Sequence, residues 1–508
     1  MPAEHRVLGA AAICCVAFVA VQLAWMRDPC GSSLDADIAA GYTLYSCRAA
    51  ASLPLAVHQG HMSLLARAEG QVFVPYLHHP PLGQWLMQLI HSHENGVVAL
   101  RAGAAVLSAL ALLLLWRGVA QSDATRAALA LGLCAGCGAW MAFGSGASPP
   151  LFGLPFMLAA LWAWHSRSFS FAYVVCAFLA GLADWNAYGV VPALWWGIAM
   201  ERPSRPWRSV LAATLPWVLA ASCVLGHMAL GAREAGGLGS VLENVSASLG
   251  LQGRSIAQLL VDLAGECAAL YGWPLLLLSG IGAVVLFVRA AAGRMNTTDQ
   301  FSIQCWIFAV VPCALFLSRS ATHPFWVIIL APALALSAAV ALQCVTQLPL
   351  AQRWTRCAQW LLPLVLVGLM AFGISTALEV QRARSSPVQE DRARLIEQLV
   401  AAEDVLLFAD YSSAFACRAL TDRCVVVRME SRAMLARAAT ALRPSANSRT
   451  PIRKVLYALP LTAATEMRWL LLEPGLVLRG SARKIPWPGG TELLLLELDT
   501  ARFMALAG

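Results

Sequence analysis

Nearly charge-free apolar runs alternate with short polar breaks along the first three quarters of the chain. Val7 to Met26 is the first such run, 20 residues long, preceded by His5 and Arg6. A helix needs about 20 apolar residues to cross a bilayer core, and a cleaved leader would have a shorter core and a small-residue cleavage site. The run therefore predicts a retained spanning helix. Similar runs predict spans near 97–116, 127–144, 149–164, 169–183, 186–200, 209–230, 267–288, 301–318, 324–343 and 359–380, about 11 in all. The shorter ones fit a bilayer that thins around them. Gly144-Ser145-Gly146-Ala147-Ser148-Pro149-Pro150 punctuates two spans as a turn, and Asp184 separates two more.

Two stretches break the rhythm. Residues 27–94 are amphipathic and irregular, which predicts short helices lying along the membrane surface as an outer loop. From residue 383 the pattern changes altogether. Apolar runs at Val405–Ala409, Cys424–Val427, Val455–Ala458 and Leu493–Leu496 alternate with helical patterns at Glu390–Glu403 and Glu430–Leu442. That alternation predicts a water-exposed α/β domain at 383–508, after a transmembrane domain at 1–382. The fold class expected is mostly α, a polytopic helical membrane protein with a C-terminal water-exposed α/β domain.

Composition agrees. The 508 residues are 59% hydrophobic and 13% charged, against about 25% charged in soluble domains. The net charge of +8 is carried almost wholly by arginine, Lys454 and Lys484 being the only lysines. No basic run with interleaved aromatics points to nucleic acid. With the N-terminus inside, the inner connections carry Arg6, Arg117, Arg126, Arg167, Arg202, Arg205, Arg208, Arg289, Arg294, Arg353 and Arg356. The longer outer ones carry fewer: Arg27, Arg48, Arg67, Arg233, Arg254 and Arg319. This asymmetry places the N-terminus in the cytoplasm and the C-terminus outside. Of the 15 cysteines, most lie in apolar segments and read as small hydrophobes, Cys134 and Cys137 included. Cys30 with Cys47, and Cys417 with Cys424, fall on the outer side, where each pair is open to bridging or to remaining reduced.

The chemistry-bearing stretch is Tyr76-Leu77-His78-His79-Pro80-Pro81-Leu82, leading into an apolar helical pattern that ends at Ile90. The prolines suit a helix start, so His78 and His79 stand at a positive helix end where anions bind. Asp35 and Asp37 lie about forty residues upstream. The expected topology gathers Asp35, Asp37, His78, His79, Arg101, Asp184, Arg319 and His323 on the outer face. Ionisable groups at membrane depth are costly and mark function by default. Singly, each has a plainer reading: Arg101 as a snorkelling side chain, Asp184 and His323 as helix caps, Trp185 and Trp326 as interface anchors.

In this order the motifs resemble the membrane glycosyltransferases of the GT-C superfamily, in the family-39-like branch that includes the protein O-mannosyltransferases and the lipid A aminoarabinose transferase. The residues that carry the resemblance are Leu34-Asp35-Ala36-Asp37-Ile38, His78-His79-Pro80-Pro81-Leu82, Asp184-Trp185, Thr322-His323-Pro324-Phe325-Trp326 and Pro332-Ala333-Leu334-Ala335-Leu336. Members of that branch carry Asp-Glu or Asp-Asn at the first motif, where this chain has Asp35-Ala36-Asp37. The resemblance implies transfer of a sugar from a polyprenyl-phosphate donor to an acceptor at the outer face, in the bacterial inner membrane. Asp37, with Asp35 as alternate, would be the general base. His78, His79, Arg101, Asp184, Trp185, Arg319 and His323 would bind substrate, the cations among them meeting the phosphate. Neither sugar nor acceptor is named by the sequence. No cofactor is implied, and a divalent metal stays open. Two rival readings stand beside this one: a transporter or lipid flippase, whose polar groups would gather near the bilayer midplane in a repeated arrangement, and a degenerate family member acting as a scaffold.

Overall fold

The computed structural model describes residues 3–26, 43–48, 50, 53, 62–67, 72–76, 79–90, 96–167, 170–201, 204–234, 254–347, 355–384, 388–409, 421, 423–426, 429, 432–442, 452–461 and 475–506. Asp35, Asp37, His78, Cys30 and Cys417 lie outside these residues, and with them the question of either bridge.

The chain opens with α1 (Ala3–Trp25), then a two-stranded hairpin, β1 (Met62–Arg67) and β2 (Val72–Tyr76). A helical array follows: α2 (Leu82–Ile90), α3 (Gly96–Ala120), α4 (Ala124–Gly136), α5 (Gly138–Phe143), α6 (Pro149–Arg167), α7 (Phe171–Ala183), α8 (Val190–Glu201), α9 (Pro206–Glu234), α10 (Ile256–Ala291), α11 (Thr297–Leu315), α12 (Leu317–Thr322), α13 (Ala331–Gln347) and α14 (Thr355–Arg384). Two 3-10 turns, Trp185–Gly189 and Pro324–Leu330, lead into α8 and α13.

Among the described residues, six helical stretches are long and apolar enough to cross a membrane: His5–Trp25, Gly96–Ala120, Pro206–Gly231, Ile256–Ala291, Pro324–Gln347 and Trp360–Val380. The chain is a multi-pass membrane protein. The other expected spans fall on shorter or interrupted helices, such as α4 with α5, α7 and α8, so the count of 11 is not reached on length and hydropathy alone.

Large apolar side chains on α1, α3, α9, α10 and α14 stay exposed, among them Val16, Leu113, Leu225, Val284 and Leu364. That is the surface a lipid environment solvates. The centre is α13. Its alanine-rich face lets neighbours approach closely, and Ala331 to Leu342 are all buried. Helix α10 crosses it at Gly282, where any Cβ would collide with the Ser337 carbonyl oxygen. Ser279 Oγ pins the crossing by donating to the Leu334 carbonyl (2.8 Å), and α11 is tied to the same helix by Trp306 Nε1, which donates to Ser337 Oγ (2.6 Å).

At the lower end of the bundle a closed polar network ties four helices. Arg126 Nη1 donates to Asp299 Oδ1 (2.7 Å), Arg289 Nη1 to the same oxygen (3.2 Å), and Arg126 Nε to Gln343 Oε1 (3.0 Å). Gln343 Nε2 donates in turn to both carboxylate oxygens of Asp123, at 3.1 and 3.0 Å. Asp123 and Asn296 also cap α4 and α11 through the backbone N–H of Arg126 and Asp299.

After α14 come α15 (Val388–Leu399), β3 (Val405–Phe408), β4 (Cys424–Val426), α16 (Arg432–Leu442), β5 (Val455–Pro460), β6 (Arg483–Trp487), β7 (Thr491–Leu498) and α17 (Thr500–Ala505). The five strands form one sheet in the order β4-β3-β5-β7-β6, with β4, β3 and β5 parallel and β7 antiparallel to both its neighbours. Continuous apolar runs are what a sheet covered on both faces requires. Leu406, Phe408, Leu493 and Leu495 pack with Ile396 of α15. Val405, Leu407, Leu496 and Leu498 pack with Leu435 of α16 and Phe503 of α17. The four runs singled out in sequence are β3, β4, β5 and the heart of β7. β6 was missed, because Arg483-Lys484-Ile485-Pro486-Trp487 pairs on one side only and is largely exposed.

The hairpin corrects one expectation. Residues 27–94 were expected to form short surface helices, yet Met62–Arg67 and Val72–Tyr76 pair antiparallel. Val72-Phe73-Val74-Pro75-Tyr76 is rich in β-branched and aromatic residues, which favour a pleated surface over a helix. β1 lies against β4 of the C-terminal sheet, while β2 lies against α16 and α9. The hairpin thus bridges the sheet domain and the upper end of the bundle.

Candidate active site

The upper end collects short, irregular elements. α2 begins where sequence expects. The Pro81 carbonyl accepts the first helical hydrogen bond from Trp85 N–H (3.0 Å), and Pro80 and Pro81 are buried. His79 stands three residues ahead of Leu82, half-buried. Gly83 of α2 lies against Phe152 of α6, and Gln84 Nε2 reaches Cys47 Sγ at 3.6 Å. Leu44, Tyr45, Cys47, Met87, Leu100, Ala147, Phe152 and Ala183 form one small core under this corner. It ends at the residue before Asp184.

Asp184 closes α7 in an extended conformation (φ −156°, ψ 147°), its own N–H bound to Ala180. Its side chain is fully buried. Asn186 Nδ2 donates to Asp184 Oδ2 at 2.8 Å. Asp184 Oδ1 and Asn186 Oδ1 are buried with no hydrogen-bond partner among the described residues. Leaving such acceptors unmatched costs about 1–3 kcal/mol each, more for a charged group, and marks a place where a donor is expected to arrive. The close fit is built in: a Cβ at Gly153 of α6 would stand 2.9 Å from Asp184 Cβ. Trp185 packs beside Leu182, Ala220, Val224, Met228 and Leu82, so the Asp184-Trp185 corner meets the start of α2.

The second corner is α12 and the 3-10 turn after it. Arg319 Nη1 lies 3.1 Å from His323 Nε2. A guanidinium only donates, so this bond requires a neutral imidazole accepting at Nε2 and protonated at Nδ1. His323 N–H caps back onto Arg319 O, and Trp326 N–H onto His323 O, both at 2.9 Å. Trp326 stands edge-on to Phe316 at 5.8 Å. Both 3-10 turns pack on α6 and α11, which brings Asp184-Trp185 and Arg319-His323 to the same end of the bundle.

Arg101 is engaged elsewhere. Its Nη1 donates to the carbonyls of Trp25 (3.0 Å) and Met26 (3.5 Å), capping the end of α1. Asn186 was not singled out in sequence, since a polar residue two places after Asp184 reads as an ordinary turn. Among the described residues, no group of three or more His, Cys, Asp or Glu side chains is arranged to hold a metal.

No protein-family model and no curated protein matches the chain. Solved structures do. ArnT from Cupriavidus metallidurans bound to undecaprenyl phosphate superposes with a TM-score of 0.59 at 13% identity, covering 99% of each chain. The apo state of the same protein gives 0.52 at 14%, covering 97% of this chain and 98% of that one. The archaeal oligosaccharyltransferase AglB from Archaeoglobus fulgidus, in complex with an inhibitory peptide and a dolichol-phosphate, gives 0.55 at 11%, covering 96% of this chain and 74% of that one. Identities this low show a common fold. The fold is the one these solved structures share, over nearly the whole of this chain.

Proposed function

We propose that the chain is a glycosyltransferase that moves a sugar from a polyprenyl-phosphate-linked donor to an acceptor at the outer face of the bacterial inner membrane. On this reading the N-terminus is cytoplasmic and residues 383–508 form the external domain. The observation that carries it is the buried Asp184 carboxylate, with an oxygen uncommitted, at the same end of the bundle as the Arg319–His323 pair. It is supported by the fold shared with proteins solved with undecaprenyl phosphate and with dolichol-phosphate.

The chemistry assigns roles. The acceptor nucleophile must lose a proton, and a carboxylate within hydrogen-bond reach can take it. Asp37 is the base and Asp35 its alternate. Both precede Thr43, whose hydroxyl donates to the Ala147 carbonyl (3.5 Å) in the small core beside Asp184. As the sugar leaves, negative charge builds on the lipid phosphate. Arg319, the Nδ1–H of His323, and His78 and His79 ahead of α2 supply donors and positive potential there. Asp184 and Asn186 accept from sugar hydroxyls and hold the ring, and Trp185 provides an apolar wall.

Transfer of labelled sugar from a panel of polyprenyl-phosphate donors in membranes tests this. Asp37→Asn should lower turnover by roughly 10²–10⁴-fold, and Asp184→Asn should lower it while the protein still inserts. If the wild-type chain transfers nothing from any donor yet moves lipid across vesicles, the transporter reading replaces this one.

A further inference from the structure

Helix α10 begins well before its expected span. Gly272 breaks it with a left-handed φ of 73°, just ahead of Pro274. The segment before the break rises beside α12. Between them lies an open groove of ≈ 710 Å³, lined by Arg254, Gln258, Val261, Asp262 and Glu266 on one side and by Ala321 and Thr322 on the other. None of these residues was singled out as a site residue in the sequence.

The lining is organised. Arg254 Nη1 donates to Asp262 Oδ2 (3.1 Å), and Gln258 Nε2 to Asp262 Oδ1 (3.0 Å), so three side chains form one fixed array along successive turns. Thr322 Oγ1 donates to the Ser318 carbonyl (2.8 Å) and keeps its lone pairs for an incoming donor. Val261 adds an apolar, 66% exposed face. Carboxylate, amide, guanidinium and hydroxyl groups beside an apolar patch suit a ring with hydroxyls at its edge and C–H groups on its face. A bare anion would meet two carboxylates here, and a lipid tail would meet five polar groups. Thr322 is bonded directly to His323, so a ring in the groove would lie next to the phosphate site.

We propose that this groove is a sugar-binding subsite, holding either the donor's sugar or a sugar of the acceptor. The inference rests on the glycosyltransferase reading. The test uses the full chain in nanodiscs, with Gln258→Ala/Asp262→Ala and Thr322→Val as variants of exposed or half-exposed groups. Three probes are compared: bare undecaprenyl phosphate, undecaprenyl phosphate carrying one of several hexoses or pentoses, and free methyl glycosides followed by saturation-transfer NMR. If the groove holds the donor's sugar, the variants lose about tenfold in affinity for the best glycosylated lipid and keep that for the bare lipid. If it holds an acceptor sugar, both lipids bind as in wild type and the methyl-glycoside signal is lost. Variants that match wild type with all three probes overturn the subsite. A wild-type chain that binds neither lipid overturns the glycosyltransferase reading instead.

Discussion

Gly282 of α10 and Ser337 of α13 meet backbone to backbone at the centre of the bundle, with no space for even a methyl group between them. Overfilling a packed crossing costs typically 1–3 kcal/mol. Here the obstacle is main chain, which cannot rotate aside. Gly282→Ala should therefore lower the thermal stability of the detergent-solubilised protein by at least about that amount. Gly280, two residues earlier, faces open space. Gly280→Ala should leave the melting temperature almost unchanged, and equal melting of the two variants would contradict the crossing.

The lower-end network predicts a different signature. Asp299 is fully buried and receives both Arg126 and Arg289. Removing one partner of a buried ion pair strands the other and costs about 3–5 kcal/mol. Asp299→Ala should reduce yield and thermal stability sharply. Asp299→Ala combined with Arg126→Leu should recover part of the loss, because the stranded charge goes too. A double variant no more stable than the single one would show that the pair is not coupled.

Arg101 and Arg319 should separate stability from transfer. Arg101 caps the end of α1, whereas Arg319 belongs to the pair placed at the phosphate. Arg101→Gln should lower melting temperature while activity per folded molecule stays within a few fold. Arg319→Gln should leave melting nearly as it was and lower transfer by more than tenfold. The reverse result would exchange the two roles.

In the sheet domain the testable group is Asp404. Burial raises the pKa of its carboxyl, but the bidentate hydrogen bonds from Arg453 (3.0 and 2.9 Å), the Ala401 N–H and the nearby positive charges of Arg453 and Lys454 outweigh this, so the net shift is downward. A pKa lower in the folded than in the unfolded chain contributes stability that is full above the unfolded value, about 3.9, and fades as pH falls through the folded value. Hydrogen exchange at the β3 and β5 amides should therefore show wild type better protected than Asp404→Asn at neutral pH. The difference should be constant down to about pH 5 and shrink below about pH 4. A difference that grows on acidification would reverse the sign of this linkage.

The sequence showed the bundle and the sheet domain wherever a single physical rule sufficed. Charge-free runs marked helices, and Val405–Ala409 or Leu493–Leu496 marked strands buried on both faces. It also placed Pro80 and Pro81 correctly at the start of α2. It did not show the hairpin at 62–76, whose strands are too short to stand out from the irregular stretch around them. Nor did it separate Arg101, engaged with the end of α1, from Arg319, engaged with His323. Both were arginines on one face, and only distance tells a cap from a pair. Gln258 and Asp262 were illegible for a similar reason: a polar groove formed by two helices sixty residues apart has no local pattern.

The hairpin bears on how the molecule is made. β1 and β4 lie about 360 residues apart in sequence yet touch in the finished fold. At a synthesis rate of about 5–20 residues per second, β1 emerges roughly 20–70 seconds before its neighbour exists. During that interval an unpaired strand edge stands open to the wrong partners. The order of translation is therefore itself a constraint that this short hairpin has to satisfy.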